Sequence, residues 1–473
     1  MTQNPVRCPG PPSRRNVLQA GSLALGGLGL ADLLKLRTEA ASSSGSESDP
    51  AIIFVWLPGG PPHMETYDMK PDAPSDYRGD FRPISSNVAG MDVCELLPMH
   101  AKIADKYNLI RSVAHGFADH GGGHKRFLTG RKPATPTGTV NDAPMVGSVV
   151  SKLLQDRANS NGLSNYVVTG NGRVNSVDTF AFGSAYLGSD THPFSVSADP
   201  NEDKFQVRNL SLAGGLDESR LSERMQLLGG LDKLRREVDS KDLMGASDVF
   251  NQRALSMITS PAARKAFDLS NEPAELRDRY GRHEWGQRAL MARRLVEAGV
   301  SWVTVVMENP YVSGIPMPDY GVYNWDSHAV NCHLYDDARM RLPIYDRTIT
   351  ALIEDIHNRG LDKKVLLVVT GEFGRTPRVS SQVGSKSKVT QPGRDHWPRA
   401  MSFLVSGGGM KTGQVIGQTN SKGEEPKERP LTPNDLWATV YRHLGIDYNK
   451  SFLNHAGRPM PILPFGEPIK ELL

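Results

Sequence analysis

The sequence predicts an α/β fold, in which a doubly wound, mostly parallel β-sheet is flanked by helices. Near-continuous apolar, β-branched runs recur along the chain, and such runs are typical of strands covered on both faces. Segments with helical periodicity separate several of them, an alternation typical of parallel sheets. The predicted strands are residues 51–57, 107–113, 165–169, 301–307, 364–370 and 401–406.

Two helices are predicted beside these strands. Apolar residues repeat at helical spacing from Leu342 to Ile356 and stop at Asn358-Arg359-Gly360, which is typical of a helix end. The segment 285–299 is a second helix that leads directly into a strand. By contrast, the tract 380–393 is rich in Ser, Gly and Lys and is predicted to be an exposed loop.

The N-terminal 41 residues are predicted to be an export signal. Arg14-Arg15 precedes a Gly- and Ala-rich apolar run that resembles a twin-arginine leader. A membrane-spanning helix is the alternative, but the run contains Gln19 and Asp32. We therefore expect no stable membrane span, and delivery by the twin-arginine export machinery to the periplasm or the extracellular space.

Three further segments complete the predicted organisation. Residues 42–50 form a disordered linker, and residues 51–473 form the α/β domain. Residues 209–284 combine dense charge with helical periodicity, so we interpret them as a helical insertion in that domain.

Charge and cysteine usage exclude several classes of protein. The chain has 55 Lys and Arg against 52 Asp and Glu, and all of this small excess lies in the first 40 residues. The remainder is balanced and shows no electrostatic footprint for nucleic acid. Cys94 and Cys332 could pair only once, so no disulfide framework or thiolate zinc site is expected.

Polar clusters follow or precede the predicted strands at the edge where open α/β sheets bind ligands. A single His or Asp in a loop is usually a turn former or a hydrogen-bonded surface residue, but five such clusters predict a site. Imidazoles and carboxylates without thiolates favour zinc or manganese, in one or two ions. The clusters contain His63, Glu65 and Asp68; His115, His120 and His124; Asp326, His328 and His333; Glu372 and Arg375; and Arg394, Asp395 and His396.

Spacing suggests individual roles. Asp326 and His328 lie two residues apart, so on an extended segment they would point the same way and share one ion. Asp395 and His396 are adjacent and would diverge, so one can ligate while the other orients a ligand or contacts a second ion.

Two arginines are candidates for binding an oxyanion. Arg375 and Arg394 have planar forks of donors that suit phosphate or sulfate. A structural salt bridge accounts equally well for either residue.

The segment 114–132, AHGFADHGGGHKRFLTGRK, combines three histidines with three consecutive glycines. Each glycine costs a helix about 1 kcal/mol relative to Ala, so we predict a loop whose amides face an anion, followed by a helix from about Lys125. His120 would ligate metal, protonate the leaving group or become phosphorylated, while His124 and Lys125 would hold the ester. A flexible turn with exposed histidines is the alternative.

Several motifs resemble those of one bacterial family. LPGGPPHMETYDMKPDAP, RGDFRPI, WDSH, TGEFGRTPR, GRDHWP and SGGGMKTGQVIGQT occur in order from about residue 51 to the C-terminus. They resemble the domain of unknown function 1501 family, which is placed in the alkaline phosphatase and sulfatase superfamily. The resemblance implies an alkaline phosphatase-like domain with a one-metal or two-metal ester-hydrolase site.

The resemblance also implies roles for particular residues. Asp326, His328 and His396 would hold one ion and Glu372 a second. The usual Asp at the end of the first strand is replaced by Leu57-Pro58-Gly59, so His63 or Asp68 would substitute for it. The nucleophile position falls on His120, and no Cys, Ser or Thr lies between residues 113 and 128.

These observations predict an exported metal-dependent hydrolase of phosphate or sulfate esters. Its substrate would be a small-molecule or glycan ester, and His120, His124 and Arg375 are the candidate catalytic residues. One alternative is a non-catalytic secreted protein that binds sulfated or acidic glycans on a retired hydrolase scaffold. Another is a secreted assembly component that uses residues 209–284 as an interface.

Overall fold

Eight strands form the central sheet of the computed structural model, which describes residues 49–138, 140–155, 162–170, 182–207, 260–311 and 315–473. The strands are β1 (Ala51–Trp56), β2 (Tyr107–Val113), β3 (Tyr166–Thr169), β4 (Phe194–Val196), β5 (Trp302–Val306), β6 (Val365–Thr370), β7 (Met401–Gly407) and β8 (Val415–Ile416). Their order across the sheet is β8-β2-β7-β6-β1-β5-β3-β4. Only β7 is antiparallel to its neighbours, so the predicted mostly parallel sheet is confirmed.

Nine α-helices are present among the described residues. They are α1 (Ser75–Arg78), α2 (Pro98–Lys102), α3 (His120–Thr129), α4 (Val146–Leu153), α5 (Pro261–Phe267), α6 (Ala274–Tyr280), α7 (Glu284–Glu297), α8 (Leu334–Asn358) and α9 (Pro433–His443). Both helices predicted from periodicity are confirmed, as α7 and α8.

Helices cover the sheet on both faces. Ile53 and Val55 of β1 belong to a core that includes apolar side chains of α7 and α8. Ile52, Phe54 and Trp56 belong to the opposite core, which includes side chains of α3, α4 and α9. Every residue of β1 is buried, which explains why its sequence is continuously apolar rather than alternating.

Smaller elements surround the sheet. Short antiparallel pairs join Pro83–Ile84 with Val93–Cys94, Gly374–Arg375 with His396–Trp397, Ser380–Val383 with Thr390–Gly393, Gln418–Thr419 with Pro426–Glu428, and Ser451–Leu453 with Pro459–Pro461. The prediction of a plain loop at 380–393 was therefore wrong, because its two ends pair as a hairpin.

The described residues bear on several other predictions. Of the proposed insertion at 209–284, only residues 260–284 are described, and they contain α5 and α6. The leader and most of the linker also lie outside the described residues. Cys94 and Cys332 are buried free thiols. No helix of the described ranges is long and apolar enough to cross a membrane.

Candidate metal centre

The candidate site lies beyond the carboxyl ends of β2, β5 and β6. The chain leaves β2 for α3, leaves β5 for the loop that carries Asp326 and His328, and leaves β6 for Glu372. The short pair Gly374–Arg375 with His396–Trp397 then places His396 opposite Arg375. Four segments distant in sequence thus meet at one place.

The histidine- and glycine-rich segment is a helix, so the predicted loop was wrong. Helix α3 begins at His120, with Asp119 as its N-cap. The Asp119 carboxylate accepts hydrogen bonds from the amides of Gly121 at 2.9 Å and Gly122 at 3.3 Å, and its backbone carbonyl accepts from Gly123 at 2.7 Å. The cap stabilises the first turn and offsets the low helix propensity of the glycines. It also occupies the amides that had been predicted to face an anion.

The glycines of α3 are needed for close packing. A Cβ atom at Gly121 would lie 2.4 Å from the carbonyl oxygen of Gly138, and one at Gly122 would lie 2.3 Å from that of Pro136. At Gly123 it would lie 2.9 Å from the Phe373 ring. The missing side chains therefore allow neighbouring segments to approach the turn that carries His120.

Three imidazoles converge on one carboxylate oxygen, Oδ1 of Asp326. The Nε2 atoms of His328 and His396 lie 3.0 and 3.1 Å from it, and 2.9 Å from each other. The Nε2 atom of His120 lies 3.5 Å from the same oxygen. We call these four side chains the Asp326 centre.

The far nitrogen of each imidazole is held by an acceptor. Nδ1 of His328 lies 2.5 Å from Asp395 Oδ1, Nδ1 of His396 lies 2.6 Å from the carbonyl oxygen of Ala118, and Nδ1 of His120 lies 2.8 Å from Glu372 Oε1. A carboxylate or a carbonyl can only accept, so each Nδ1 carries the proton and donates. Each Nε2 of a neutral ring is left with its lone pair directed inward, the usual arrangement for metal-ligating histidines.

This donor set fits a divalent cation. Two neutral imidazoles with Nε2 lone pairs 2.9 Å apart repel each other, and a cation between them removes that repulsion. The distances among Asp326 Oδ1 and these two nitrogens are close to the edge of about 3.3 Å in a tetrahedron with zinc–ligand bonds of about 2.0 to 2.1 Å. In addition, Nε2 of His120 is buried without a hydrogen-bond partner.

Electrostatics at the centre favour positive charge. Burial alone would raise the pKa of Asp326, but its close contacts with His120, His328 and His396 hold that pKa well below its usual range. Burial would likewise lower the pKa of His120, whereas its contacts with Asp326 and Glu372 raise it to about 9. A positive charge, whether a proton or a metal ion, is therefore stabilised between these carboxylates.

Glu372 and His124 form a second group with His120. The Glu372 carboxylate is fully buried and accepts from the amide of Gly59 at 2.8 Å. Burial would raise its pKa, but His124 and His120 lower it to about 2. Nε2 of His124 lies 3.5 Å from Glu372 Oε1, and neither ring nitrogen of His124 has a hydrogen-bond partner. Burial lowers the pKa of His124 to about 4, so this ring is neutral.

Arg375 bonds to Asp326 from a buried position. Arg375 is fully buried, and its Nη2 atom donates to Asp326 Oδ1 at 2.5 Å. Its other donors bond to the carbonyl oxygens of Gly59, Gly60 and Arg394. The geometry thus places Arg375 as a positioning residue, and the catalytic role predicted for it stays a prediction.

Two cations that were predicted to contact the substrate have hydrogen-bond partners within the protein. All five donors of the buried Arg394 guanidinium are occupied, because it pairs with Glu65 and bonds to the carbonyl oxygens of Tyr77, Thr376 and Pro377. Lys125 donates to oxygens of Thr135 and Thr137. Both cations therefore bond within the protein, and the substrate-binding role of each stays a prediction.

His63 and Asp68, the predicted substitutes for an Asp after the first strand, have partners elsewhere in the protein. Nε2 of the buried His63 donates to the carbonyl oxygen of Gly423 at 3.1 Å, and its Nδ1 accepts from the amide of Arg375. Burial lowers the pKa of His63 to about 4. Asp68 pairs with Lys70 at 2.9 Å and accepts from the Thr419 hydroxyl at 2.5 Å. Neither His63 nor Asp68 faces the Asp326 centre.

Sequence reasoning missed three supporting groups. The Asp119 cap was visible as an N-cap residue immediately before His120. The Gly59 amide and the Ala118 carbonyl gave no signal, because backbone groups support a site irrespective of residue type. Gly59 itself is required, since its φ is +107° and a Cβ there would lie 2.6 Å from the Asp326 amide nitrogen.

Fold and site together define an α/β protein with a partly buried cluster of histidine and carboxylate side chains at the edge of its sheet. The chain matches the family model described as "Protein of unknown function (DUF1501)" over residues 49–473. It belongs to this family. No curated protein matches the chain.

Solved structures similar to this chain include three with low sequence identity. A phosphonate monoester hydrolase from Silicibacter pomeroyi is 14% identical, with 90% of this chain and 76% of that chain covered at a TM-score of 0.34. A protein in the alkaline phosphatase superfamily from Vibrio parahaemolyticus is 9% identical to this chain. The match covers 90% of this chain and 71% of that chain, and its TM-score is 0.36. A sulfatase from Pseudoalteromonas sp. is 12% identical to this chain. The match covers 86% of this chain and 70% of that chain, and its TM-score is 0.33.

Proposed function

We propose that this protein is an exported, metal-dependent hydrolase of phosphate or sulfate esters. One observation carries the proposal: three imidazoles, each held at Nδ1 by an acceptor, direct Nε2 toward a single buried carboxylate oxygen. Clusters of this kind are costly to bury without a cation. The arrangement therefore suits zinc or manganese chemistry better than a purely structural role.

His120, Asp326, His328 and His396 would hold the ion. When bound, a divalent ion supplies Lewis acidity, which stabilises negative charge on an ester oxygen and acidifies water near neutral pH. Of the roles predicted for His120, the geometry supports ligation, because Nε2 points to the centre while Nδ1 is bound to Glu372.

The surrounding residues fix these ligands. Asp395 orients His328, the Ala118 carbonyl orients His396, and Glu372 orients His120. Outer partners of this type typically contribute about 10-fold to 100-fold to metal affinity. His124 is the neutral side chain with unpartnered nitrogens beside these residues, and we propose that it transfers a proton or binds a second ion.

Metal removal tests the proposal. The purified protein should contain at least one zinc or manganese ion by elemental analysis, and it should hydrolyse one member of a panel of phosphate and sulfate esters. Chelation should abolish turnover, and adding back the same metal should restore it. Full turnover by chelated protein, or failure to bind either metal, would contradict the proposal. Tight metal binding without turnover of any ester would favour the alternative of a non-catalytic binding protein.

Export is the second part of the proposal and rests on Arg14-Arg15 before the apolar run. Changing both residues to Lys should leave the protein in the cytoplasm, as measured by fractionation. The control variant carries Lys35→Arg and Arg37→Lys. It exchanges the same two residue types outside the twin-arginine pair and should be exported normally. Unchanged export of the twin-lysine variant would refute this route.

A further inference from the structure

The two oxygens of the Asp326 carboxylate have different partners. Oδ1 is the oxygen that the three Nε2 atoms of the Asp326 centre approach. Oδ2 accepts a hydrogen bond from Nδ2 of Asn331 at 3.0 Å, and the same nitrogen lies 3.2 Å from the backbone carbonyl oxygen of Asp326. Asn331 therefore holds the second oxygen of the carboxylate that the imidazoles share.

The orientation of the Asn331 side chain is determined by its partners. A carbonyl and a carboxylate can only accept, so the amide nitrogen of Asn331 must face them, and it has one hydrogen for each oxygen. The backbone of this residue is fixed as well, because its N–H donates to the carbonyl oxygen of His328 at 2.9 Å. The loop thus ties the position of Asn331 to that of a neighbouring candidate ligand.

The Asp326 carboxylate is anchored at both oxygens. The buried Arg375 donates to Oδ1, and Asn331 donates to Oδ2. The backbone amide of Asp326 donates in turn to Oδ1 of Asn324 at 3.1 Å. A carboxylate that binds one ion through both oxygens must turn until both face the ion, and two donors on different oxygens oppose that rotation. Asp326 is therefore held so that it presents a single oxygen to the three imidazoles.

The number of oxygen ligands affects which ion a site prefers. Zinc is satisfied by four ligands in a tetrahedron, including imidazole nitrogens and a single carboxylate oxygen. Manganese is a harder ion that suits octahedral sites rich in oxygen. Three imidazoles and Oδ1 of Asp326 supply four donors, whereas Oδ2 would add a fifth donor and a second oxygen. A hydrogen bond that keeps Oδ2 away from the ion therefore favours zinc over manganese.

We infer that Asn331 is a positioning residue that keeps Asp326 monodentate and thereby selects zinc over manganese at the Asp326 centre. The inference rests on the proposed metal-dependent function and narrows its metal to zinc. Most sites with nitrogen and oxygen ligands bind zinc more tightly than manganese, so Asn331 acts by widening an existing difference. It does so through Asp326.

The test compares zinc and manganese affinities of the wild type with those of Asn331→Leu, which keeps the approximate side-chain volume, and of Asn331→Ala. Zinc affinity should fall about 10-fold to 100-fold in both variants, as is typical when a residue that orients a ligand is lost. Manganese affinity should fall less, because the released Oδ2 becomes an additional ligand, so the ratio of zinc to manganese affinity should fall about 10-fold. Competition against a chromophoric chelator measures zinc, and the paramagnetic resonance signal of the free ion measures manganese.

Two further measurements make the test specific. Cobalt(II) in place of zinc should show weaker visible absorption bands in both Asn331 variants, since these bands weaken as the coordination number rises above four. Asp395→Asn is the matched control, because Asp395 orients His328 without contacting Asp326 Oδ2. It should lower both affinities by similar factors and leave their ratio unchanged. Thermal unfolding of the metal-free variants shows that each one is folded.

The outcomes separate this inference from the hydrolase function, since none of these measurements needs an ester. An unchanged affinity ratio in folded Asn331 variants, or a ratio that changes in only one of them, would overturn the role of Asn331 even if the wild type hydrolyses esters. Zinc binding by a wild type that hydrolyses no ester would overturn the hydrolase function, and a fall of the ratio in both variants would still support the role of Asn331. Binding of neither metal by the wild type would overturn both.

Discussion

Replacing Asp326 with asparagine should remove the bound metal and lower ester turnover by at least about 100-fold. Asp326 Oδ1 is the atom that all three imidazole Nε2 atoms approach, so the substitution removes the one carboxylate among the described residues that is shared by these nitrogens. The loss of metal affinity should exceed the roughly 10-fold to 100-fold change that is typical when a residue that only orients a metal ligand is replaced. Metal stoichiometry and kcat/KM are the measurements.

The matched control for this substitution is His333→Ala in the same loop. His333 is the N-cap of α8, and its side chain accepts from the amide of Asp336, so it contributes to a helix end rather than to the centre. This variant should lose about 1 kcal/mol of stability and retain its metal. Asp326→Asn protein with full metal content and wild-type turnover would show that the convergence of these side chains is only structural.

The fold was predictable because local sequence and tertiary environment agree in the sheet. β1, β5 and β6 are buried along their whole length, so their apolar runs directly report two covered faces. Strands β4 and β8 were missed, since with three and two residues they are too short to show any periodicity. Helix α3 was missed for a different reason, because one capping aspartate outweighed three glycines whose small size is required by tertiary packing.

The site was predictable in part. The motifs identified Asp326, His328 and His396, and the structure brings these three together. The roles of Glu372 and Asp395 depend on which nitrogen of each histidine faces inward, and spacing along the chain carries no such information. Likewise, an arginine that binds a phosphate and one that binds a buried carboxylate have the same sequence signal, so Arg375 and Arg394 were ambiguous until their partners were known.

The same two arginines provide a prediction with a large effect on stability. Replacing Arg375 with lysine should lower the free energy of unfolding by about 3 to 5 kcal/mol, because it disrupts a buried ion pair and leaves carbonyl groups without donors. Arg375 bonds to three carbonyl oxygens and to Asp326, and the single nitrogen of a lysine lacks the planar fork that reaches them all. Urea denaturation of the metal-free protein measures this loss.

Arg394→Lys is the matched variant that separates positioning of Asp326 from general structural support. Arg394 is equally buried and pairs with Glu65, which lies outside the Asp326 centre, so a similar loss of stability is expected. Only Arg375→Lys should also weaken metal binding, by about 10-fold to 100-fold, since only Arg375 holds a ligand oxygen. The comparison uses folded protein at a temperature well below both unfolding transitions, with zinc affinity measured by competition against a chromophoric chelator. Equal loss of affinity in the two variants would mean that Arg375 supports the fold alone, because the two side chains differ mainly in the carboxylate each one holds.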